Sequence, residues 1–253
     1  MRYVRFQAET QMRSGIMDDE AIWAIDGNFF DRYGLTGERY SPADVKFLAP
    51  CIPSKVVAVG LNYQDHIEEF NRAHIPAQPV LFVKLHHTVI GPDDAIVIPP
   101  GATRVDYEAE LAVVMKRTCY RVDPDSAADC ILGATCLNDV TERDMQRADG
   151  QWFRAKNFEA FCPIGPHIVD GIEYDKLDIK LLLNGEVRQQ SNTAHLIWSV
   201  PRLVSFISQV VPLYPGDIVS TGTPSGVGPL QEGDVVEVVI EGIGTLRNTV
   251  RGS

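Results

Sequence analysis

The stretch Asp106-Tyr107-Glu108-Ala109-Glu110 places carboxylates at every second position. Alternate side chains of a β-strand share a face, so the three would project together. Like charges so placed repel unless something positive sits among them. A hard cation such as Mg²⁺ or Mn²⁺ takes oxygen ligands of this kind. A solvated strand face is the reading that the stretch alone leaves open. Asp139 ends the run Ile131-Leu132-Gly133-Ala134-Thr135-Cys136-Leu137. A carboxylate at the end of a buried strand must be paired or metal-bound, because desolvating an unpaired charge is costly. A helix N-cap is its rival role, since Thr141-Glu142-Arg143-Asp144 resembles a helix start.

Other polar clusters carry further chemistry. In Gly60-Leu61-Asn62-Tyr63-Gln64-Asp65-His66-Ile67-Glu68-Glu69, His66 and Glu69 stand three residues apart. On a helix they can touch, and a carboxylate-oriented His can activate a water. A surface His–Glu pair of little consequence is the plainer reading of that spacing. Lys156 lies among Trp152, Phe153 and Phe158, where it can meet an anionic substrate or snorkel to solvent. Thr221-Gly222-Thr223-Pro224-Ser225-Gly226-Val227-Gly228 can present N–H and O–H groups to a carboxylate. It lacks the Gly-Lys-Ser/Thr of a nucleotide P-loop, and in isolation it reads as a turn. His86 and His87 read as structural, and His74, His167 and His195 receive no role.

The elements that must hold these residues are mostly strands. Residues 1–48 alternate apolar and polar positions, with Asp26-Gly27 as a hairpin signal, and form a small β-rich module. Pro50 and Pro53 close it, and 49–253 follows as the larger domain. Strands are expected at 55–60, 79–84, 105–116 and 131–137, and short helices at 63–73 and 124–130. The segment 196–210, with Pro201 in its first turn, is the best amphipathic helix. Leu181-Leu182-Leu183 meets Asn184-Gly185, a hairpin signal, and a β-rich C-terminal third follows. The fold class is mainly β (α+β), a curled sheet or roll with short helices.

Composition narrows the partners. The 253 residues are 45% hydrophobic, enough to bury a substantial core. A net charge of −11 without any dense basic run disfavours nucleic acid and anionic membranes. The five cysteines are scattered and contain no Cys-x-x-Cys pair, so they read as buried free thiols. With neither an N-terminal apolar h-region nor a membrane-length apolar run, the chain reads as cytoplasmic.

Taken in order, these clusters resemble the fumarylacetoacetate hydrolase family. The resemblance rests on Gly-Leu-Asn-Tyr-Gln-Asp-His at 60–66, Pro-Val-Leu-Phe-Val-Lys at 79–84, Asp-Tyr-Glu-Ala-Glu-Leu-Ala-Val-Val at 106–114 and Asn-Asp-Val-Thr-Glu-Arg-Asp-Met-Gln at 138–146. It continues through Lys156-Asn157-Phe158 and the 221–228 loop. It covers residue 50 to the end, and each motif is weak alone. It implies a mixed β-sandwich roll and a homodimer. It implies Mg²⁺ or Mn²⁺ on Glu108, Glu110 and Asp139, leaving Asp106 outside the ligand set. It implies a His66–Glu69 dyad ordered by a lid over 65–76. It implies Lys156 facing a small 2-oxo (di)carboxylic acid, with Thr223 holding its carboxylate and Arg143, Gln146 and Lys84 binding it. The activity it implies is hydrolysis of a C–C bond in 2,4-dioxo acids through a metal-held enolate. Oxaloacetate decarboxylation or tautomerisation and dienedioate isomerisation are the alternatives. Glu142 stands where the family more often has a small residue, and is expected to point outward.

Overall fold

A computed structural model describes residues 1–64 and 76–253. Its logic is visible in the strand Ala109–Met115, of which every residue is buried. Leu111, Val113 and Met115 enter one apolar cluster, whereas Ala112 and Val114 enter another. A strand covered on both faces is written as a continuous apolar run instead of an alternating one. Its neighbour Ile131–Asn138 is buried throughout for the same reason.

These two strands lie inside a large mixed sheet. Its order is Tyr33–Tyr40, Ile22–Gly27, Gln11–Met17, Arg2–Ala8, Cys162–Val169, Ile131–Asn138, Ala109–Met115, Ile218–Ser220, Lys55–Gly60 and Val80–Leu85. Ile218–Ser220 runs parallel to Lys55–Gly60, and the other pairs along this path are antiparallel. A second sheet has the order Glu186–Asn192, Asp178–Leu183, Val235–Ile240, Gly244–Gly252 and Ala95–Ile98. Its Ile179, Leu181, Val236, Val238 and Ile240 share a cluster with Leu111 and Val113 of the large sheet. Truncating such a residue, as in Leu111→Ala, costs about 2–5 kcal/mol in lost transfer energy and cavity formation. The chain is therefore mainly β, a mixed β-rich fold with few helices.

The N-terminal hairpins extend the large sheet, since Arg2 and Tyr3 pair with Val169 and Ile168. The reversal expected at Asp26-Gly27 comes slightly later. Gly27 still pairs with Tyr33, and Asn28 makes the turn by accepting from Phe30 N through its side chain. Asn184 and Gly185 take φ of 54° and 81° between Asp178–Leu183 and Glu186–Asn192, as a tight hairpin with two left-handed central residues requires. The amphipathic helix is Val200–Ser208, which buries Val200, Leu203, Val204 and Ile207. Among the described residues, no helix is long and apolar enough to cross a membrane.

One expectation needs correction. The segment 105–116 is not a single strand. Val105–Tyr107 belongs to a small third sheet with Thr141–Glu142 and Gly228–Pro229, whereas Ala109–Met115 belongs to the large one. Glu108 is the joint between them. Its N–H donates to the Asn138 side chain at 2.9 Å in place of a strand carbonyl. The helix expected over 63–73 falls mostly outside the described residues.

Candidate functional site

The joint at Glu108 brings three carboxylates together. Glu108, Glu110 and Asp139 are all buried, and one oxygen of each lies within 4.8 Å of the others. The backbone locks two of them to each other, because Asp139 N donates to Glu108 O at 2.9 Å. Glu110 Oε2 accepts from Ser220 Oγ and from Gly222 N, the latter at 3.0 Å. Gly222 has φ +98°, and a Cβ there would sit 2.9 Å from Val59 O. A side chain at 222 would therefore pull this N–H away from the glutamate.

Three cationic side chains contact the trio, and a fourth holds the neighbouring Asp106. Lys156 Nζ lies 2.5 Å from Asp139 Oδ2 and 2.9 Å from Glu108 Oε2. Lys84 Nζ lies 2.6 Å from Asp139 Oδ1 and donates to Val140 O at 3.1 Å. Arg143 spans Glu108 and Asp106, at 2.5 and 2.7 Å. Arg104 brackets Asp106 at 2.9 and 3.1 Å, so Asp106 is an anchor for guanidinium groups and stays outside the trio. Burial opposes the charge on Lys156, but Asp139 and Glu108 outweigh it and hold the ammonium above its ordinary pKa. Burial first, then the charges of Asp139 and Glu108, push the Glu110 carboxyl well up. Both hydrogen bonds at Glu110 come from neutral donors. Three converging carboxylate oxygens, one of them disfavoured as an anion, match the donor set of a hard divalent cation.

The trio lines a cavity of about 390 Å³. Lys156, Arg143, Gln146, Thr223 and Trp152 line it with the three acids. Arg143 Nη1 donates to Gln146 Oε1 at 2.9 Å, so these two walls are coupled. Trp152 packs edge-on against Phe82 with ring centroids 5.3 Å apart. Its indole occupies the space beside Gly60, where a Cβ would lie 2.5 Å from a ring carbon. Glycine at the end of strand Lys55–Gly60 is what admits the indole to the cavity wall.

The sequence-derived residues divide accordingly. Glu108, Glu110, Asp139, Lys156, Arg143, Gln146 and Thr223 meet around one cavity. Lys84 is fully buried, with its ammonium on Asp139 and Val140. His66 and Glu69 lie outside the described residues. Glu142 does not point outward. It is 2% exposed and caps the helix Arg143–Asp149 by accepting from Met145 N at 2.6 Å. That cap removes the rival role for Asp139, whose carboxylate is engaged by two lysines instead. All five cysteines are free and buried. Sequence reasoning did not single out Arg104, Asn138, Ser220 or Gln189. Asn138 and Ser220 stood beside residues that had been noticed, whereas Gln189 carried no signal in an outwardly polar strand.

Residues 55–251 match the fumarylacetoacetate (FAA) hydrolase C-terminal family. The chain belongs to the fumarylacetoacetate hydrolase family. Residues 1–50 match the Rv2993c-like N-terminal family. An uncharacterized protein of Archaeoglobus fulgidus is 56% identical over 91% of this chain and 90% of its own length. The 2,4-didehydro-3-deoxy-L-rhamnonate hydrolase of Sphingomonas sp. is 37% identical over 99% of this chain and 96% of its own. The crystal structure of 2-hydroxyhepta-2,4-diene-1,7-dioate isomerase from Mycobacterium marinum superposes with a TM-score of 0.94 at 40% identity, covering 100% of this chain and 99% of that one. Members of the fumarylacetoacetate hydrolase family are enzymes and generally depend on divalent metal, for which the buried Glu108, Glu110 and Asp139 supply a fitting donor set.

Proposed function

We propose that this protein is a divalent-cation-dependent hydrolase that cleaves a C–C bond in small 2,4-dioxo acids of the acylpyruvate or fumarylpyruvate type. Mg²⁺ or Mn²⁺ would be held by Glu108, Glu110 and Asp139. One observation carries the reading: the buried trio shares its cavity with fixed cationic and hydroxyl donors, as an anionic 2-oxo acid requires.

When bound, the cation would supply Lewis-acid polarisation of the substrate's 2-oxo group and adjoining carboxylate. Lys156 is held protonated between Glu108 and Asp139. It donates to the oxygen that gains charge as the C3–C4 bond breaks, without having to reorganise. Arg143 is pinned by Asp106 and Glu108; with Gln146 it orients the far end of the substrate. Thr223 offers its hydroxyl to the carboxylate. Lys84 supports Asp139 from behind. Water activation falls to His66 with Glu69, an assignment that rests on their three-residue spacing and on the resemblance to the family. Water adds to the C4 carbonyl, the C3–C4 pair is left on C3 as an enolate, and C3 takes a proton to give pyruvate and a second carboxylic acid.

A second reading is favoured by the likeness to the M. marinum isomerase over the whole chain. Without a water at C4, the same residues would move a proton between C3 and a conjugated position. A panel of acylpyruvates, oxaloacetate and 2-hydroxyhepta-2,4-diene-1,7-dioate, each with and without Mg²⁺ or Mn²⁺, separates the readings. Cation-dependent pyruvate release from acylpyruvates supports the hydrolase. Isomerisation alone moves the protein to the second reading, and binding without turnover of any member sinks both.

A further inference from the structure

Gln189 reverses the usual order of burial in its strand. Glu186–Asn192 lies at an edge of the second sheet, and its Val187 is 51% exposed while Gln189 is 1% exposed. A buried amide beside an exposed valine calls for a polar reason. The amide makes three hydrogen bonds that fix its orientation. Ala109 N–H can only donate, so the oxygen faces it, at 2.9 Å. Pro224 O can only accept, so the nitrogen faces it, also at 2.9 Å. Nε2 then has one proton left, and that proton meets Thr223 Oγ1 at 2.8 Å.

The consequence falls on Thr223. A hydroxyl that accepts from Gln189 keeps its own proton for another partner. Thr223 lines the cavity at the carboxylate trio. The other end of the amide holds Ala109, the residue between Glu108 and Glu110. The loop bearing Thr223 is also tied to Glu110 through Ser220 and Gly222. Gln189 thus spans from the residue between two of the carboxylates to the hydroxyl that lines the cavity.

We propose that Gln189 is a positioning residue for substrate binding: by donating to Thr223 Oγ1, it turns the threonine hydroxyl proton into the cavity, toward the carboxylate of a 2-oxo acid. This rests on the reading of the cavity as a 2-oxo acid site. With an acceptor in place of the amide nitrogen, the hydroxyl would donate backward and present a lone pair to the anion. Gln189 touches no substrate and acts through Thr223.

The test is calorimetric binding of oxalate, a carboxylate probe, to the Mg²⁺-saturated protein, with Mg²⁺ affinity measured alongside. Gln189→Met keeps the length and apolar volume but removes the donor. Gln189→Asn is a second variant, too short to span Ala109 and Thr223, and it serves if the first fails to fold. Either should weaken oxalate binding about tenfold, the contribution of one hydrogen bond to a charged group, and leave Mg²⁺ affinity within about twofold. Thr223→Val should show the same loss, and adding Gln189→Met or Gln189→Asn to Thr223→Val should cost little more. Thr223→Ser should retain wild-type binding. Unchanged oxalate affinity in the Gln189 variants, or an equal loss in the Thr223→Val background, overturns the proposal and leaves the 2-oxo acid site standing. If the Mg²⁺-loaded wild type binds no oxalate, the site reading falls and takes this inference with it.

Discussion

Lys84 and Asp139 are both fully buried, with their charged atoms 2.6 Å apart. Asp139 also accepts from Lys156, so one carboxylate answers two ammonium groups. In a metal-free protein this arrangement is structural as well as chemical. Removing one partner of a buried pair strands the other in a medium that solvates it poorly.

Because Lys156 still answers Asp139, we expect Lys84→Met to lower the stability of the metal-free protein by less than the roughly 3–5 kcal/mol of a fully stranded charge. A divalent cation supplies positive charge at the same carboxylate. Saturating Mn²⁺ should consequently raise the Tm of the variant by more than it raises that of the wild type. Equal cation-induced shifts, read by thermal denaturation with and without Mn²⁺, would separate Lys84 from the charge balance of the site.

Glu110→Gln should divide metal binding from folding. The amide oxygen can still accept from Ser220 and Gly222, and the substitution removes a charge that burial and two neighbouring carboxylates oppose. The metal-free variant should melt no lower than wild type. Its Mn²⁺ affinity should fall by more than the roughly 10–100-fold typical of losing an outer-shell partner. Retained affinity in a titration followed by electron paramagnetic resonance would remove Glu110 from the ligand set.

Lys156→Met tests the electrostatic role. The thioether fills the space beside Phe82, over whose ring the ammonium sits at 4.7 Å. We expect kcat on the best substrate of the panel to drop about 10²–10³-fold, with cation binding preserved. Full turnover would show that no charge developing in the reaction relies on this ammonium.

His167 sets an acid limit on stability. Burial, followed by the charge of Arg2, lowers its pKa from 6.5 to about 4. A folded protein that holds the neutral ring gains nothing from this group below pH 4 and the full effect above 6.5. Stability is accordingly lost as pH falls from 6.5 toward 4, by on the order of 3 kcal/mol. Urea midpoints at pH 7 and 4.5 should lie closer together in His167→Phe than in wild type. An unchanged gap would assign the acid sensitivity to other groups.

The residues that needed only local chemistry were readable from the chain. The apolar run ending at Asp139 and Pro201 opening an amphipathic helix led to the observed elements, whereas the alternating carboxylates at 106, 108 and 110 pointed to one strand where there are two. What escaped notice depended on partners far along the chain. The break at Glu108 exists because Tyr107 pairs with Gly228 while Ala109 pairs with Asn138. Alternation within one segment carries no information about such a change of sheet. Glu142 reads as solvent-seeking in the chain, because only the folded helix supplies the Met145 N–H that its carboxylate caps. Gln189 was invisible because an edge strand of polar residues does not say which of them turns inward.

The joint at Glu108 also separates what must stay constant from what is free to diverge. Glu110 lies in a fully buried strand, Glu108 directly precedes it and Asp139 directly follows another, so almost any replacement there disturbs packing. Other lining residues come from separate elements: Arg143 and Gln146 from a seven-residue helix, Trp152 from the loop after it, and Thr223 and Val227 from a further loop. On the proposed function, exchanging Gln146, Trp152 or Val227 would alter which acid fits while leaving the three carboxylates in place. A lineage built on this plan can change its diet while keeping its anchor, in keeping with relatives named for hydrolysis and for isomerisation.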